Sequence, residues 1–169
     1  LMFDGSPVKT PADWTARRRP ELIQLFQHYM YGQPPAAPQS LQARAERIEA
    51  DYFEGKATKQ EVVISFGPPD TPRIHLLLII PNFPPGPKPV FLGINFCGNH
   101  TLLDDPAIAL PEAWMPEHCP GCVEHRATKA GRGTQKDVWA IEQTIDRGYA
   151  FACFYCGDVD PDRNDFTDG

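Results

Sequence analysis

Two short apolar runs constrain this chain most: PVFLGINF (89–96) and YAFACFY (149–155), on either side of the helical stretch TQKDVWAIEQTIDRG. A run with almost no polar position has no face to give to water, so each reads as a strand covered on both sides, the habit of parallel sheets. The stretch between them has the marks of a helix: Thr134 as cap, Asp137 at the third position and Gly148 as terminator. Val138, Ile141 and Ile145 fall at helical spacing and are expected to form its buried stripe. Strand, helix and strand in this order make a parallel crossover unit. As the last strand, 149–155 is expected to lack its next neighbour and to present an unpaired apolar edge.

Upstream, the hydrophobic period changes twice. Thr10-Pro11-Ala12-Asp13 combines a cap residue, proline at the first helical position and an acid at the third, which predicts a helix start, with a second start at Pro20. Leu22, Leu25, Phe26, Tyr29 and Met30 then recur at helical spacing until Gly32 and Pro34-Pro35 end the element. From about Gln42 the pattern is extended: QARAERIEADYF and TKQEVVISFG flank Gly55 as a hairpin, and RIHLLLII (73–80) adds a further strand. The proline-rich PNFPPGPKP after it is too stiff for a helix and reads as a surface crossover.

The first apolar run ends abruptly. Val90, Phe91, Leu92 and Ile94 lead into Gly98-Asn99-His100, a turn too polar to continue a core strand, and a loop of nearly forty residues follows up to Gly133. Open α/β sheets place ligands outside the carboxyl ends of their strands, and long loops inside compact domains are usually functional. An antiparallel hairpin, then a strand, a helix and a parallel strand, is how the α/β-hydrolase sheet begins. There, the loop after the third strand donates a backbone N–H to the oxyanion hole. Gly98 and Asn99 occupy that place, although the same residues also suit a plain turn. The serines are Ser6, Ser40 and Ser65, and none stands in a G-x-S-x-G context.

Composition narrows the function classes. A net charge of −6 and a pI near 5.3 argue against a nucleic-acid partner, because phosphate binding needs a basic face. The Arg17-Arg18-Arg19 run, in a helical context, reads as a solvated helix face. No run approaches the roughly 18 apolar residues of a membrane helix, so no membrane partner is expected. Residues 1–10 carry neither a basic start nor an apolar stretch, so no signal peptide is read there.

Five cysteines (97, 119, 122, 153 and 156) are an odd number, so one at least has no partner within the chain. HCPGCVEH places His118, Cys119, Cys122 and His125 as four zinc-competent ligands in eight residues. Zinc sites draw their pairs from separate segments, so a local Cys119–Cys122 disulfide, or free thiols, is the preferred reading and no metal or cofactor is expected. Cys97 and Cys153, at strand positions, read as small buried hydrophobes rather than as a nucleophile paired with His100. His28 and His75 read as structural. Asp158, Asp160 and Asp162 alternate as in a calcium loop, but Arg163 stands where that loop needs glycine and Gly169 where it needs glutamate.

Four collinear blocks carry a resemblance: ARRRPELIQLFQHYMYG, PVFLGINFCGNHTLLDDPAIAL, WMPEHCPGCVEHRATKAGRG and RGYAFACFYCGDVDPD. Together they resemble the N-terminal half of bacterial glucuronoyl esterases, carbohydrate esterases often labelled acetyl-xylan-esterase-like. The resemblance implies an α/β fold, the N-terminal portion of an α/β-hydrolase, and residues 1–169 as a single partial domain. It implies a Ser-His-acid triad that cleaves esters between xylan glucuronic acid and lignin alcohols, with all three residues expected beyond Gly169, so that the 169 residues alone are inactive. It further implies a secreted or periplasmic location and, as partners, a glucuronoxylan ester and the other half of the same domain. Gly98, Asn99, His100 and Asp158 map onto strand-end loops and are the candidates for the pocket lining and oxyanion support. The Cys-Pro-Gly-Cys insert and Cys97 depart from the family pattern. An acetyl xylan esterase or other carbohydrate esterase, and a non-catalytic carbohydrate-binding or interaction module, are the alternatives. A true module should close its own sheet.

Overall fold

The computed structural model describes residues 1–38, 40–68 and 71–164, which fall into two compact units, Leu1–Pro38 and the chain from Gln39 onward. The first is helical from Pro11 to Tyr31: α1 (Pro11–Asp13), a π-helical turn (Trp14–Arg18), α2 (Arg19–Phe26) and a second π-helical turn (Gln27–Tyr31). Its start is a full capping box. Thr10 Oγ1 accepts the Asp13 N–H at 3.0 Å while the Asp13 carboxylate accepts the Thr10 N–H at 3.0 Å. Arg17 pairs with Asp4 at 2.8 Å and Arg18 with Glu21 at 3.1 Å, so two of the three arginines are held within this unit.

The second unit is built on a five-stranded sheet. Its strands are β1 (Leu41–Tyr52), β2 (Ala57–Phe66), β3 (Ile74–Pro81), β4 (Val90–Asn95) and, after the two-stranded ribbon β5 (Cys122–Val123) and β6 (Arg126–Ala127), β7 (Ala150–Tyr155). The order across the sheet is β1-β2-β3-β7-β4. β1, β2, β3 and β7 pair antiparallel in turn, and β4 pairs parallel with β7 from Val90↔Ala150 to Asn95↔Tyr155. The last described strand therefore slots between β3 and β4, the two strands of this sheet that precede it in the chain.

That crossover corrects two expectations. β7, expected to lack a neighbour, is paired on both sides and buried along nearly its whole length. β4, expected to be a buried central strand, is an edge strand here, and Val90, Phe91, Leu92 and Ile94 are each half exposed or more. Continuous apolarity identified both as strands but carries no information about their order across the sheet.

One core packs Leu77, Ile79, Phe151 and Cys153 of the sheet against Leu102, Leu103 and Ile108 of the long loop and against Ile141 and Ile145. The expected single helix 134–148 is two pieces, α3 (Lys136–Trp139) and α4 (Ile141–Asp146), broken at Ala140, whose φ is +46°. Both Trp139 and Ile141 pack on this core, yet residues two apart in an unbroken helix point about 200° apart. The left-handed residue resets the phase so that both can face the sheet, and it leaves Val138, expected in the buried stripe, 81% exposed. Thr134 does not cap the helix: its hydroxyl donates to the Gly131 carbonyl at 2.8 Å.

The loop from 97 to 133 is not structureless. Arg132 donates to the carbonyls of Asp105 at 2.8 Å and Ile108 at 2.7 Å, and Tyr155 Oη donates to Trp114 O at 2.8 Å. Lys59, 1% exposed on β2, pairs with Asp105 from the loop and with Glu49 at 2.8 Å, with its ammonium 4.3 Å from the centre of the Tyr52 ring. Burying this charge is tolerable only because two carboxylates and an aromatic face meet it.

Candidate active site

Because β4 and β7 are parallel, the loops leaving their carboxyl ends emerge side by side. β3 runs antiparallel to β7, so its first residues begin at that same end of the sheet. The three elements deliver Asn99, Asp158 and His75 to one cleft of about 190 Å³, lined also by Glu46, Glu61, Leu110, Pro111, Glu112 and Tyr155.

A chain of hydrogen bonds fixes this end of the sheet. Asn95, the last residue of β4, accepts the Gly98 N–H at 2.6 Å through Oδ1 and donates through Nδ2 to Asn99 Oδ1 at 2.7 Å. Asn99 Nδ2 donates to the His75 carbonyl at 2.7 Å. The His75 N–H donates to Asp158 Oδ2 at 2.9 Å, and His75 Nδ1 lies 3.3 Å from the same oxygen. The hydrogen bond to Asp158 raises the His75 pKa above its ordinary value, reinforced by that carboxylate's charge and by Glu46 and Glu112. Across the cleft, Glu61 accepts the Ala109 N–H at 2.8 Å and pairs with Arg47 at 2.9 Å.

The four residues singled out from the sequence divide. Asn99 and Asp158 line the cleft. Gly98 does not line it but makes the turn possible. Its φ is +89°, and a Cβ there would lie 2.8 Å from Pro111 Cγ and 2.9 Å from His100 Nδ1. His100 is a correction: it is wholly buried behind the turn, not in the cleft lining, and neither ring nitrogen has a hydrogen-bond partner among the described residues. Burial, with the Arg132 charge as a second cause, pushes its pKa down to about 4, so the ring is neutral. His75, read as structural, faces the cleft; only its distance from the other motifs in sequence hid it. Asn95 was missed because an amide ending an apolar run reads as the start of a loop.

The cysteines pair differently from expectation. The disulfide joins Cys97 to Cys119, with Cα atoms 5.4 Å apart, and Cys122, Cys153 and Cys156 are free. Spacing favoured Cys119–Cys122, but the loop folds back so that Cys119 meets the end of β4, with Met115 and Tyr155 packed around the bridge. Cys97 is therefore not a free buried thiol, whereas Cys153 is. Among the described residues the donors close enough to share a metal are Cys97, His118 and Cys119. The first and last are bonded to each other, so neither offers a thiolate. Asp160 and Asp162 are exposed while Asp158 turns inward to His75, so the three aspartates do not converge; Gly169 lies outside the described residues.

An antiparallel lead-in, a parallel pair formed by a crossover that inserts the later strand, and a cleft at the strand carboxyl ends define the N-terminal portion of an α/β-hydrolase fold. No protein-family model matches the chain. It is 40% identical over 97% of its length to a carbohydrate esterase, MZ0003, from an unknown prokaryotic organism, of which it covers 38%. A solved structure of a promiscuous CE15 esterase from a marine bacterial metagenome matches all of this chain at 38% identity and a TM-score of 0.85, with 42% of that protein covered. The glucuronoyl esterase of Solibacter usitatus matches 96% of it at 33% identity and a TM-score of 0.85, with 41% covered. The homologues of this chain are carbohydrate esterases, CE15 glucuronoyl esterases among them, and it spans about two-fifths of their length.

Proposed function

We propose that these residues form part of a serine carboxylic-ester hydrolase acting on plant cell-wall carbohydrate, with 4-O-methyl-glucuronoyl esters that link xylan to lignin as the substrate class. What carries the reading is the meeting of Asn99, Asp158 and His75 in one cleft at the carboxyl end of the sheet, in a chain homologous along its length to CE15 esterases. In this reading the attacking serine, its histidine and its acid lie outside the 169 residues. The serine adds to the uronate carbonyl as histidine takes its proton, the carbonyl oxygen becomes an anion held by backbone N–H groups, and the alcohol leaves with that proton. Water then repeats the sequence to free the acid. The β4 loop contributes one oxyanion donor, a contribution worth about 3 to 4 kcal/mol in comparable sites.

The exposed apolar face of β4 supports a further part of the same domain as its neighbour, rather than a module that closes its own sheet. The Cys97–Cys119 disulfide supports an oxidising, periplasmic or extracellular setting. No helix among the described residues is long and apolar enough to cross a membrane. Because one relative is described only as a carbohydrate esterase, another ester of carbohydrate, such as an acetyl ester of xylan, is the second reading. The test is to assay the full-length protein on a benzyl glucuronate ester beside acetylated xylan. A kcat/KM at least tenfold higher on the uronate ester is expected; the opposite order makes it an acetyl esterase, and turnover of neither rejects the reading.

A further inference from the structure

We propose that Cys97, His118 and Cys119 form a zinc site when the chain is reduced. One pair of sulfurs then carries two alternative clamps, a disulfide under oxidising conditions and a bound ion under reducing ones. The ligand atoms of the three residues lie within 4.8 Å of one another. A tetrahedral zinc sets sulfur and nitrogen ligand atoms about 3.6 to 3.8 Å apart, so closing on the ion takes a movement of about 1 Å. Read alone, HCPGCVEH would have to close a tetrahedron from a single segment, which zinc sites avoid. The fold removes that obstacle, because Cys97 arrives from the end of β4 while His118 and Cys119 arrive from the long loop. Both sulfurs are buried and His118 is exposed. Two thiolates offset the two charges of the ion, so the site buries no net charge, and its open side leaves the fourth position to water.

The sulfurs stay together after the bridge opens because other contacts hold the loop. The Cys119 N–H donates to the Pro116 carbonyl and the Cys122 N–H to the Cys119 carbonyl, each at 3.0 Å, two successive turns that present Cys119 to the end of β4. Gly121, with φ +72°, lies so close to Gly131 that a Cβ would stand 2.1 Å from the Gly131 nitrogen, and Thr128 Oγ1 donates to the Gly121 carbonyl at 2.6 Å. Tyr155 Oη pins the Trp114 carbonyl at 2.8 Å. A dithiol reductant opens the bridge: it becomes its own disulfide as two electrons and two protons pass to the sulfurs of Cys97 and Cys119. Zinc then displaces both thiol protons, so binding weakens as pH falls. Cys122 Sγ lies 3.7 Å from the Met115 carbonyl and outside the group of converging ligand atoms, so it is not a ligand.

The test uses the full-length protein in two states, untreated and reduced by a phosphine, which leaves as its oxide with the oxygen of one water. After desalting under nitrogen, zinc chloride is titrated into each against a chromophoric chelator. The reduced chain is expected to take up one more zinc than the untreated chain, and zinc should raise the Tm of the reduced chain alone. Cys97→Ser and Cys119→Ser should each abolish that uptake, His118→Ala should weaken it at least tenfold, and Cys122→Ser should bind as the parent does. Cobalt(II) in place of zinc should give a thiolate charge-transfer band in the near ultraviolet that Cys97→Ser lacks. Equal uptake by the two states overturns the inference. So does binding that survives Cys97→Ser but not Cys122→Ser, because the ion would then sit in the HCPGCVEH segment alone. Should the serine variants fail to fold, the comparison of the two redox states and His118→Ala, at an exposed position, decide.

Discussion

The carboxylate of Asp158, only 4% exposed at the end of β7, accepts the backbone N–H of His75 at the start of β3 at 2.9 Å and lies 3.3 Å from that residue's Nδ1. One side chain thus ties two strands and biases a titrating ring. Because the folded pKa of His75 is raised, the stability it contributes is fully present below the unfolded value of about 6.5 and is lost as pH rises through the folded pKa. Asp158→Asn should bring the His75 titration, followed by NMR, down toward 6.5. A midpoint unmoved by the substitution would contradict the pairing.

His100 works in the opposite direction. Its folded pKa of about 4 against about 6.5 unfolded means that the unfolded chain binds the extra proton between those values, so stability is full above about 6.5 and falls as pH drops toward 4. The shift corresponds to a loss of about 3 kcal/mol across that window. His100→Leu removes two ring nitrogens that have no hydrogen-bond partner among the described residues, so it should be near neutral at pH 7.5 and should flatten the acid limb of a Tm-against-pH curve. An acid limb as steep as the parent's would show that another group drives it.

The Cys97–Cys119 bridge closes a loop with a sequence separation of 22, for which the chain-entropy estimate is about 3 kcal/mol of stabilisation. Non-reducing peptide mapping should recover a 97–119 cross-linked peptide with Cys122 alkylated, and Cys122→Ser should leave both the bridge and Tm unchanged. Recovery of a 119–122 peptide would overturn the assignment.

Local signals were legible in the sequence because they are set by neighbours in the chain. Thr10 and Asp13 form the capping box that their spacing predicts, and Gly148, with φ +81°, ends α4 as expected. Strand order and helix phase are set by distant packing. The insertion of β7 between β3 and β4 rests on pairings between strands far apart in the chain, and the break at Ala140 that turns Val138 outward on how Trp139 and Ile141 share one sheet face. In the cleft, Asn99 and Asp158 were readable as residues following apolar runs. Asn95 was not, because its role lies in three hydrogen bonds that exist only once the turn has folded. His75 joined them only through the antiparallel pairing of β3 with β7.

The central claim is that these residues supply the strand-end loops of an esterase while the nucleophile lies elsewhere in the protein. Its most direct test is to measure hydrolysis of a glucuronate ester by residues 1–169 and by the full-length protein at equal concentration, with thermal unfolding followed for both. The account predicts turnover by the full-length protein alone, and association of the shorter chain through the exposed β4 face of Phe91, Leu92 and Ile94. Turnover by the 169 residues within about tenfold of the full-length protein, from a cooperatively folded monomer, would contradict it.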